Sequence, residues 1–210
     1  MHWLIALSMF MTVPSAPKKK RWIRHKDCVH QLSAQPLFKV RNPKRTYGTP
    51  STIEALTSAA KRFSKRVPNS VVRVGDMSWY GGGKMRPHAS HRKGNDVDLG
   101  YFRKADAQVP YFFFHTNHKT VDADRTWPLV EELLRTERVE FIFMARDIQS
   151  ALYKKAKKAG YSKNQLSRIF QYPRMSWKRT GIIRWAKGHD THFHVRFYAP
   201  GRRASKSLFD

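Results

Sequence analysis

Apolar residues recur every three or four positions in several parts of the chain, which is the spacing of a helix with one buried face. Ser51 and Glu54 form a capping-box pattern just before such a series, so we expect the first helix to begin at Ser51 and to end before Pro68. Ser162 and Gln165 form a second capping box. The pattern predicts helices over residues 51–67, 127–138, 147–159 and 162–169.

Four other segments have the pattern of β-strands. Apolar and polar residues alternate over 96–100 and over 192–197, which predicts strands with one apolar face each. Residues 71–74 and 139–143 are short runs rich in β-branched and aromatic residues, as expected of buried strands. The sequence has no Rossmann fingerprint, P-loop or internal repeat. We therefore expect an α+β fold with a mainly antiparallel central sheet and flanking helices.

A length of 210 residues fits one domain with short extensions. The apolar stretch at residues 3–13 is too short for a transmembrane helix and has the length of the hydrophobic part of an export signal. We expect a signal peptide over residues 1–16, a basic, loop-rich lead-in segment over 17–48, a folded domain over 49–200 and a tail over 201–210. An export signal predicts a periplasmic or secreted protein without a transmembrane span, and an ordinary apolar N-terminal segment is the alternative.

The chain is strongly basic, with 41 lysine and arginine residues against 15 aspartate and glutamate residues and a formal net charge of +26. Hydrophobic residues make up 40%, enough for a buried core, which excludes wholesale disorder. The charge favours a polyanionic partner, such as a cell-wall polymer, a nucleic acid or an acidic membrane surface. Cys28 is the only cysteine, so any metal ion must be bound by histidine and carboxylate side chains.

Two histidine clusters have the spacing of a hydrolytic metal site. His192 and His194 are two positions apart on a predicted strand, so both rings project from the same face. Asp98 also lies on a predicted strand face, and Gly94 permits the turn that returns His91 to it. Two histidines and one carboxylate form the open three-ligand set of catalytic zinc sites. We therefore expect a zinc site on the sheet.

His88 and His189 are further candidates beside these clusters. As additional protein ligands they would close the coordination sphere and suppress hydrolysis, so we expect them outside the first set of ligands. His88 is expected to be an auxiliary metal or substrate contact.

Three residues before the first cluster are expected to contact a substrate. Trp79 and Tyr80 flank a glycine-rich loop that could close over a peptide, although such a loop is equally typical of a flexible connection. The guanidinium of Arg86 could bind a substrate carboxylate. The aromatic run over residues 111–114 is expected in the core, with a substrate wall or a second metal site as alternatives.

Together the clusters resemble the motifs of the penicillin-insensitive murein endopeptidases. These are zinc peptidases of the group that also contains lysostaphin, the D-Ala-D-Ala metallopeptidases and the hedgehog signalling domain. Residues 75–78, Gly-Asp-Met-Ser, and residues 88–98 are similar to the first motif of the family, and residues 189–196 are similar to its second motif. Residues 170–173 fit an intervening segment of some members, and the resemblance covers roughly residues 45–200.

The resemblance implies that His91, Asp98 and His194 bind Zn²⁺, and that His192 and His189 act on the nucleophile and the transition state. It implies a zinc peptidase domain over the folded region, a DD- or LD-endopeptidase that hydrolyses D-amino-acid cross-links in peptidoglycan, with no obligate nucleic-acid partner. A zinc-dependent nuclease or phosphodiesterase is one alternative, because the charge favours it. A non-catalytic zinc-containing module that binds the wall or another polyanion is the other.

Overall fold

The computed structural model describes residues 28–32, 36–104, 113–204 and 207–209. The expected signal peptide and the first residues of the basic lead-in segment lie outside these ranges. The described residues form the helices α1 (Pro50–Arg66), α2 (Ala123–Leu134), α3 (Arg146–Lys158) and α4 (Lys163–Ile169), with a 3-10 turn at Pro43–Arg45. In this part of the chain no helix has both the length and the hydrophobicity that a membrane span requires.

All four predicted helices are present, but three of them begin earlier than predicted, α1 at Pro50, α2 at Ala123 and α3 at Arg146. The predicted capping box at Ser51 is wrong, because Thr49 is the N-cap of α1 and its side chain accepts a hydrogen bond from the backbone N–H of Thr52. Asp122 caps α2 in the same way, ahead of the predicted start. The capping box of Ser162 at the start of α4 is confirmed, with both of its hydrogen bonds present.

The described strands are β1 (His30–Gln31), β2 (Phe38–Val40), β3 (Tyr47–Gly48), β4 (Val72–Val74), β5 (Asp96–Gly100), β6 (Val139–Met144), β7 (Ile183–Trp185) and β8 (His192–Phe197). Six of them form one sheet in the order β2-β4-β5-β8-β6-β7. The three inner pairs are antiparallel, and the two outer pairs, β2 with β4 and β6 with β7, are parallel. The predicted α+β fold with a mainly antiparallel sheet is therefore confirmed.

The strands β5 and β8 carry different chemistry on their two faces. Leu99 of β5 lies opposite Phe193 of β8, and both side chains are fully buried in one core with the apolar residues of the helices. Because side chains alternate across a strand, the neighbouring pair, Asp98 and His194, lies on the other face. The sheet therefore separates an apolar core from a polar layer.

The strand β2 lies in the segment that the sequence predicts to be loop-rich. It pairs with β4, and Phe38 is buried in the core. Three residues are too few to give a periodic pattern, so the hydrophobic pattern does not indicate this strand. The domain boundaries at residues 49 and 200 stay a prediction.

Candidate active site

A cleft of about 730 Å³ opens over the polar layer of β5 and β8. Its lining brings together residues of both histidine clusters and of β6, including His88, Asp98, Phe143, His189, His192 and His194. His91 is fully buried beside Asp98. The fold therefore assembles in one place the residues that the sequence predicts as metal ligands and acid–base groups.

Strand register and one tight turn bring the three predicted metal ligands together. Asp98 and His194 lie directly opposite each other on β5 and β8. His91 reaches them from the loop before β5, where His91 and Gly94 have positive φ angles of 59° and 75°. A Cβ atom at position 94 would lie 2.6 Å from Cys28 Sγ, so glycine is needed there for space as well as for conformation.

The ligand atoms of these residues form an equilateral triangle. His91 Nε2, Asp98 Oδ1 and His194 Nδ1 are each 3.1 Å from the other two. In a tetrahedral zinc site with bonds of about 2.0 to 2.1 Å, two ligand atoms are about 3.3 to 3.4 Å apart. The type and spacing of these three donors therefore fit one small metal ion with an open fourth position.

Each histidine of this triangle is oriented by a hydrogen bond on its other ring nitrogen. His91 Nδ1 lies 2.8 Å from the backbone carbonyl oxygen of Met77, and His194 Nε2 lies 3.0 Å from Asp96 Oδ1. Since these oxygens only accept hydrogen bonds, the two nitrogens carry hydrogen. His91 Nε2 and His194 Nδ1 are thereby the ring atoms that could bind a metal ion.

Burial and hydrogen bonding set the charges around the triangle. Burial raises the pKa of Asp98, but hydrogen bonds with His194 and His91 outweigh burial and hold this pKa well below its usual value. Burial also opposes the ionisation of Asp96, yet its bonds with His194 and Arg196 lower its pKa to about 2. Burial lowers the pKa of His194, and the two carboxylates raise it to about 9. Both carboxylates are therefore ionised and favour a cation between them, either a proton or a metal ion.

His88 lies at the edge of the triangle. The ligand atoms of His88, His91 and Asp98 all lie within 4.8 Å of one another, so this group could hold a metal ion. His88 Nδ1 is 3.8 Å from Asp98 Oδ2, while His88 Nε2 is 2.8 Å from Asp76 Oδ2. The auxiliary role of His88 stays a prediction.

Asp76 is a site residue that sequence reasoning missed. Its carboxylate is buried, and besides His88 it lies 2.7 Å from Arg41 Nη2 and 2.9 Å from Arg45 Nη2. Burial raises the pKa of Asp76, but the bonds with His88 and the two arginines lower it overall. The one feature of the sequence that points to Asp76 is its position in the Gly-Asp-Met-Ser segment over residues 75–78. Asp76 therefore orients His88 from beneath the cleft.

His192 and His189 lie beside the triangle as neutral rings. His192 Nε2 is 3.7 Å from Asp98 Oδ1. His189 Nδ1 is 3.0 Å from the carbonyl oxygen of Lys187, so Nδ1 carries the hydrogen and Nε2 is the basic atom. Burial lowers the pKa of both rings, to about 4 for His192. Both rings are therefore neutral at pH 7.

Phe113 lies at the site, although the sequence analysis expects its aromatic run in the core. Residues 111–112 lie outside the described residues, and Phe113 and Phe114 are only partly buried. Glycines make room for Phe113, because a Cβ atom at Gly75 or Gly100 would lie 2.5 Å or 3.3 Å from its ring. The core expectation is therefore wrong for these two residues, since both are only partly buried and Phe113 covers the polar face of the sheet.

The three predicted substrate contacts lie outside the lining of the cleft. Trp79 and Tyr80 are exposed side chains, and the ring of Trp79 contacts the guanidinium of Arg45. Arg86 is also exposed, in the segment that leads to His88. Their role in substrate binding stays a prediction.

Fold and site together define a class of protein: an α+β domain that carries, on its central sheet, a histidine–aspartate group able to hold a metal ion. A comparison with protein families gives a match to the penicillin-insensitive murein endopeptidases over residues 33–206. The chain therefore belongs to this family, and the resemblance seen in the sequence is confirmed. No curated protein matches the chain.

Proposed function

We propose that the protein is a zinc endopeptidase that hydrolyses D-amino-acid cross-links in peptidoglycan. The triangle of His91 Nε2, Asp98 Oδ1 and His194 Nδ1, with its sides of 3.1 Å, carries this proposal. The family supports a peptidoglycan substrate, and a cleft of about 730 Å³ lies beside the triangle.

Zinc suits this donor set of two imidazole nitrogens and one carboxylate oxygen. His91, Asp98 and His194 would hold the ion, with His88 as an auxiliary contact. Bound zinc would polarise the scissile carbonyl group and lower the pKa of a water molecule to about 7.

His192 is the first candidate for the general base, and His189 is the second. Each ring is neutral at pH 7 and lines the cleft beside the triangle. A base in this place would take a proton from the attacking water and pass it to the leaving amine, a contribution of about 10² to 10⁴ fold. The protonated ring would then stabilise negative charge on the tetrahedral oxyanion.

A wall substrate requires a periplasmic or secreted enzyme, which we propose on the basis of the family and of the expected export signal over residues 1–16. The net charge of +26 would favour association with the anionic wall.

The decisive experiment is digestion of purified, cross-linked peptidoglycan by the zinc-loaded protein, with and without a chelator, followed by mass analysis of the muropeptides. We expect cross-linked dimers to become monomers, and the chelator to abolish this conversion. The masses of the products would identify the cleaved bond as DD or LD. Intact dimers beside one bound zinc ion per chain would contradict the proposal and favour the nuclease or the binding module.

A further inference from the structure

A second cavity of about 580 Å³ lies next to the cleft and shares Phe143 and Ala186 with it. Its other lining residues belong to β7 and to the segment between α4 and β7, and they are Gln171, Ser176, Trp177, Arg179, Arg184 and Trp185. We call this cavity the tryptophan groove. It is a direct continuation of the cleft along the surface.

The groove exposes two indole rings to solvent. Trp177 is 71% exposed and Trp185 is 44% exposed. Tryptophan and arginine are the residues most enriched at the energetic centres of binding surfaces, because a rigid ring gives a large contact area at a small cost in entropy. Two exposed tryptophans beside a catalytic cleft therefore indicate a place where a ligand lies.

The groove is also positively charged. Arg179 and Arg184 contribute two guanidinium groups, and among the described residues none of those lining the groove is acidic. Arg184 is held in place, since its Nε donates a hydrogen bond of 2.8 Å to the carbonyl oxygen of Gly181 and its guanidinium lies over the ring of Phe141. Guanidinium groups bind carboxylates with two parallel hydrogen bonds, so the ligand is expected to carry carboxylates.

Gln171 fixes the shape of the groove from beneath. Its side chain is buried, and its Nε2 donates hydrogen bonds of 2.8 Å to the carbonyl oxygens of Ser176 and Lys178. Its Oε1 accepts a hydrogen bond of 2.7 Å from the backbone N–H of Trp185. One buried amide thus fastens the segment that carries Trp177 to the strand that carries Trp185. The groove is preorganised, which reduces the entropy cost of binding.

We infer that the tryptophan groove binds the carboxylate-bearing peptide stem of the substrate, beyond the bond that is cleaved. This inference rests on the proposed function, because a stem joined to a cross-link in the cleft would enter the adjoining groove. Arg179 and Arg184 would bind the free carboxylates of the stem. The two indoles would cover its methyl and methylene groups.

Binding of an uncross-linked stem tetrapeptide to the full-length protein tests the inference without any need for cleavage. The probe is compared with the same peptide in which every carboxylate is amidated, by titration calorimetry and by the indole N–H signals in NMR. Arg179→Gln is the test variant, and Arg203→Gln, an exposed arginine outside both cavities, is the matched control. We expect Arg179→Gln to weaken binding of the acidic stem by about tenfold, as loss of one charged hydrogen-bonding group predicts, and the control to leave it unchanged.

Trp177→Phe and Trp185→Phe identify which NMR signals belong to the groove, and those signals are expected to shift with the acidic stem. Equal binding of the acidic and amidated peptides, or an equal loss in Arg203→Gln, would overturn the inference, because binding would then follow net charge alone. Tighter binding of a single-stranded oligonucleotide at the same two indoles would overturn it in favour of nucleic acid.

Kinetics separate this inference from the proposed function. On cross-linked dimers, Arg179→Gln is expected to raise KM by about tenfold with kcat nearly unchanged, and on amidated dimers to match the wild type. If the wild type cleaves no cross-links, the proposed function is refuted. The binding experiment with the stem tetrapeptide would still test the groove, because it needs no cleavage. A fall in kcat with an unchanged KM would overturn the assignment of the groove to the stem.

Discussion

The ring of Phe113 stacks on the ring of His192, with centroids 5.0 Å apart and planes inclined by 14°. His192 is the first candidate for the general base, so this contact fixes the plane of the ring that would move the proton. The Phe113 ring also contacts Arg41, whose guanidinium carbon lies 5.1 Å from the ring centroid. We therefore expect Phe113 to position the ring of His192.

We expect Phe113→Ala to lower kcat by about tenfold or more, because small errors in the placement of a catalytic group are costly. Zinc content should stay at the wild-type level, since His192, the ring on which Phe113 stacks, is not one of the three predicted ligands. Phe113→Tyr, which keeps the aromatic ring, is expected to restore activity. Equal loss in Phe113→Tyr and Phe113→Ala would contradict a stacking role.

Gly75→Ala tests the same contact from the opposite side. The added Cβ atom would lie 2.5 Å from the Phe113 ring, so the ring must shift from the position in which it stacks on His192. We expect lower kcat with zinc retained, and an altered His192 signal in NMR. An unchanged kcat would show that Phe113 does not position His192.

The predicted metal ligands and the predicted base should separate by their zinc content. His194→Ala and Asp98→Ala are expected to lose both zinc and activity, because each removes one corner of the triangle. His192→Ala is expected to keep zinc and lose turnover by about 10² fold or more. Metal analysis after dialysis measures the difference. A zinc-free His192→Ala protein would overturn this division of roles.

Asp96 is expected to control zinc affinity through His194. Its Oδ1 accepts hydrogen bonds from His194 Nε2 at 3.0 Å and from Arg196 Nε at 2.6 Å. Loss of such an outer hydrogen bond typically weakens metal affinity by about 10 to 100 fold, and we expect this of Asp96→Asn. Asp124→Asn on the surface of α2 is the control, and competition with a chelator gives the affinity. Equal affinities of the two variants would contradict the role of Asp96.

Far from the site, Glu131 predicts a pH-dependent part of the stability. Burial raises its pKa, but bonds with Tyr161, Arg66 and Arg135 lower it overall. Because the pKa is lower in the folded state than in the unfolded chain, this carboxylate stabilises the fold above pH of about 4.5, and the contribution is lost as pH falls through the folded-state pKa.

Glu131→Gln should therefore lower the free energy of unfolding at pH 7 by about 1 to 3 kcal/mol, and by less below pH of about 4.5. Denaturant unfolding at several pH values measures the difference from the wild type. Glu140→Gln, on the exposed side of β6, is the control and should leave stability nearly unchanged. A deficit of Glu131→Gln that is constant over the whole pH range would contradict the ionic explanation.

The sequence predicts the site where alternation along a strand fixes the direction of a side chain. Asp98 and His194 could be placed on one face because their neighbours are apolar, and Gly94 indicated the turn that returns His91. Periodicity of apolar residues also makes the interiors of the helices predictable. The start of α1, in contrast, depends on which of two nearby polar residues, Thr49 or Ser51, caps the helix.

Other parts of the site depend on contacts between distant segments that no local pattern contains. Asp76 meets His88 through a loop, and Phe113 reaches His192 only because two glycines leave the sheet surface open. The tryptophan groove is formed by two segments, which the hydrogen bonds of Gln171 hold together. Such partners can be identified only when the chain is folded.

The pairing of β5 with β8 has a consequence for errors in folding. Asp98 and His194 of the triangle alternate with core residues on these two strands, so a slip of one position would turn His194 into the apolar interior and expose Phe193. A molecule with this shifted pairing would lose both its apolar core and its metal site. A well-packed but inactive form therefore cannot arise from such a slip. Correct pairing of β5 with β8 is therefore required both for the metal site and for a soluble fold.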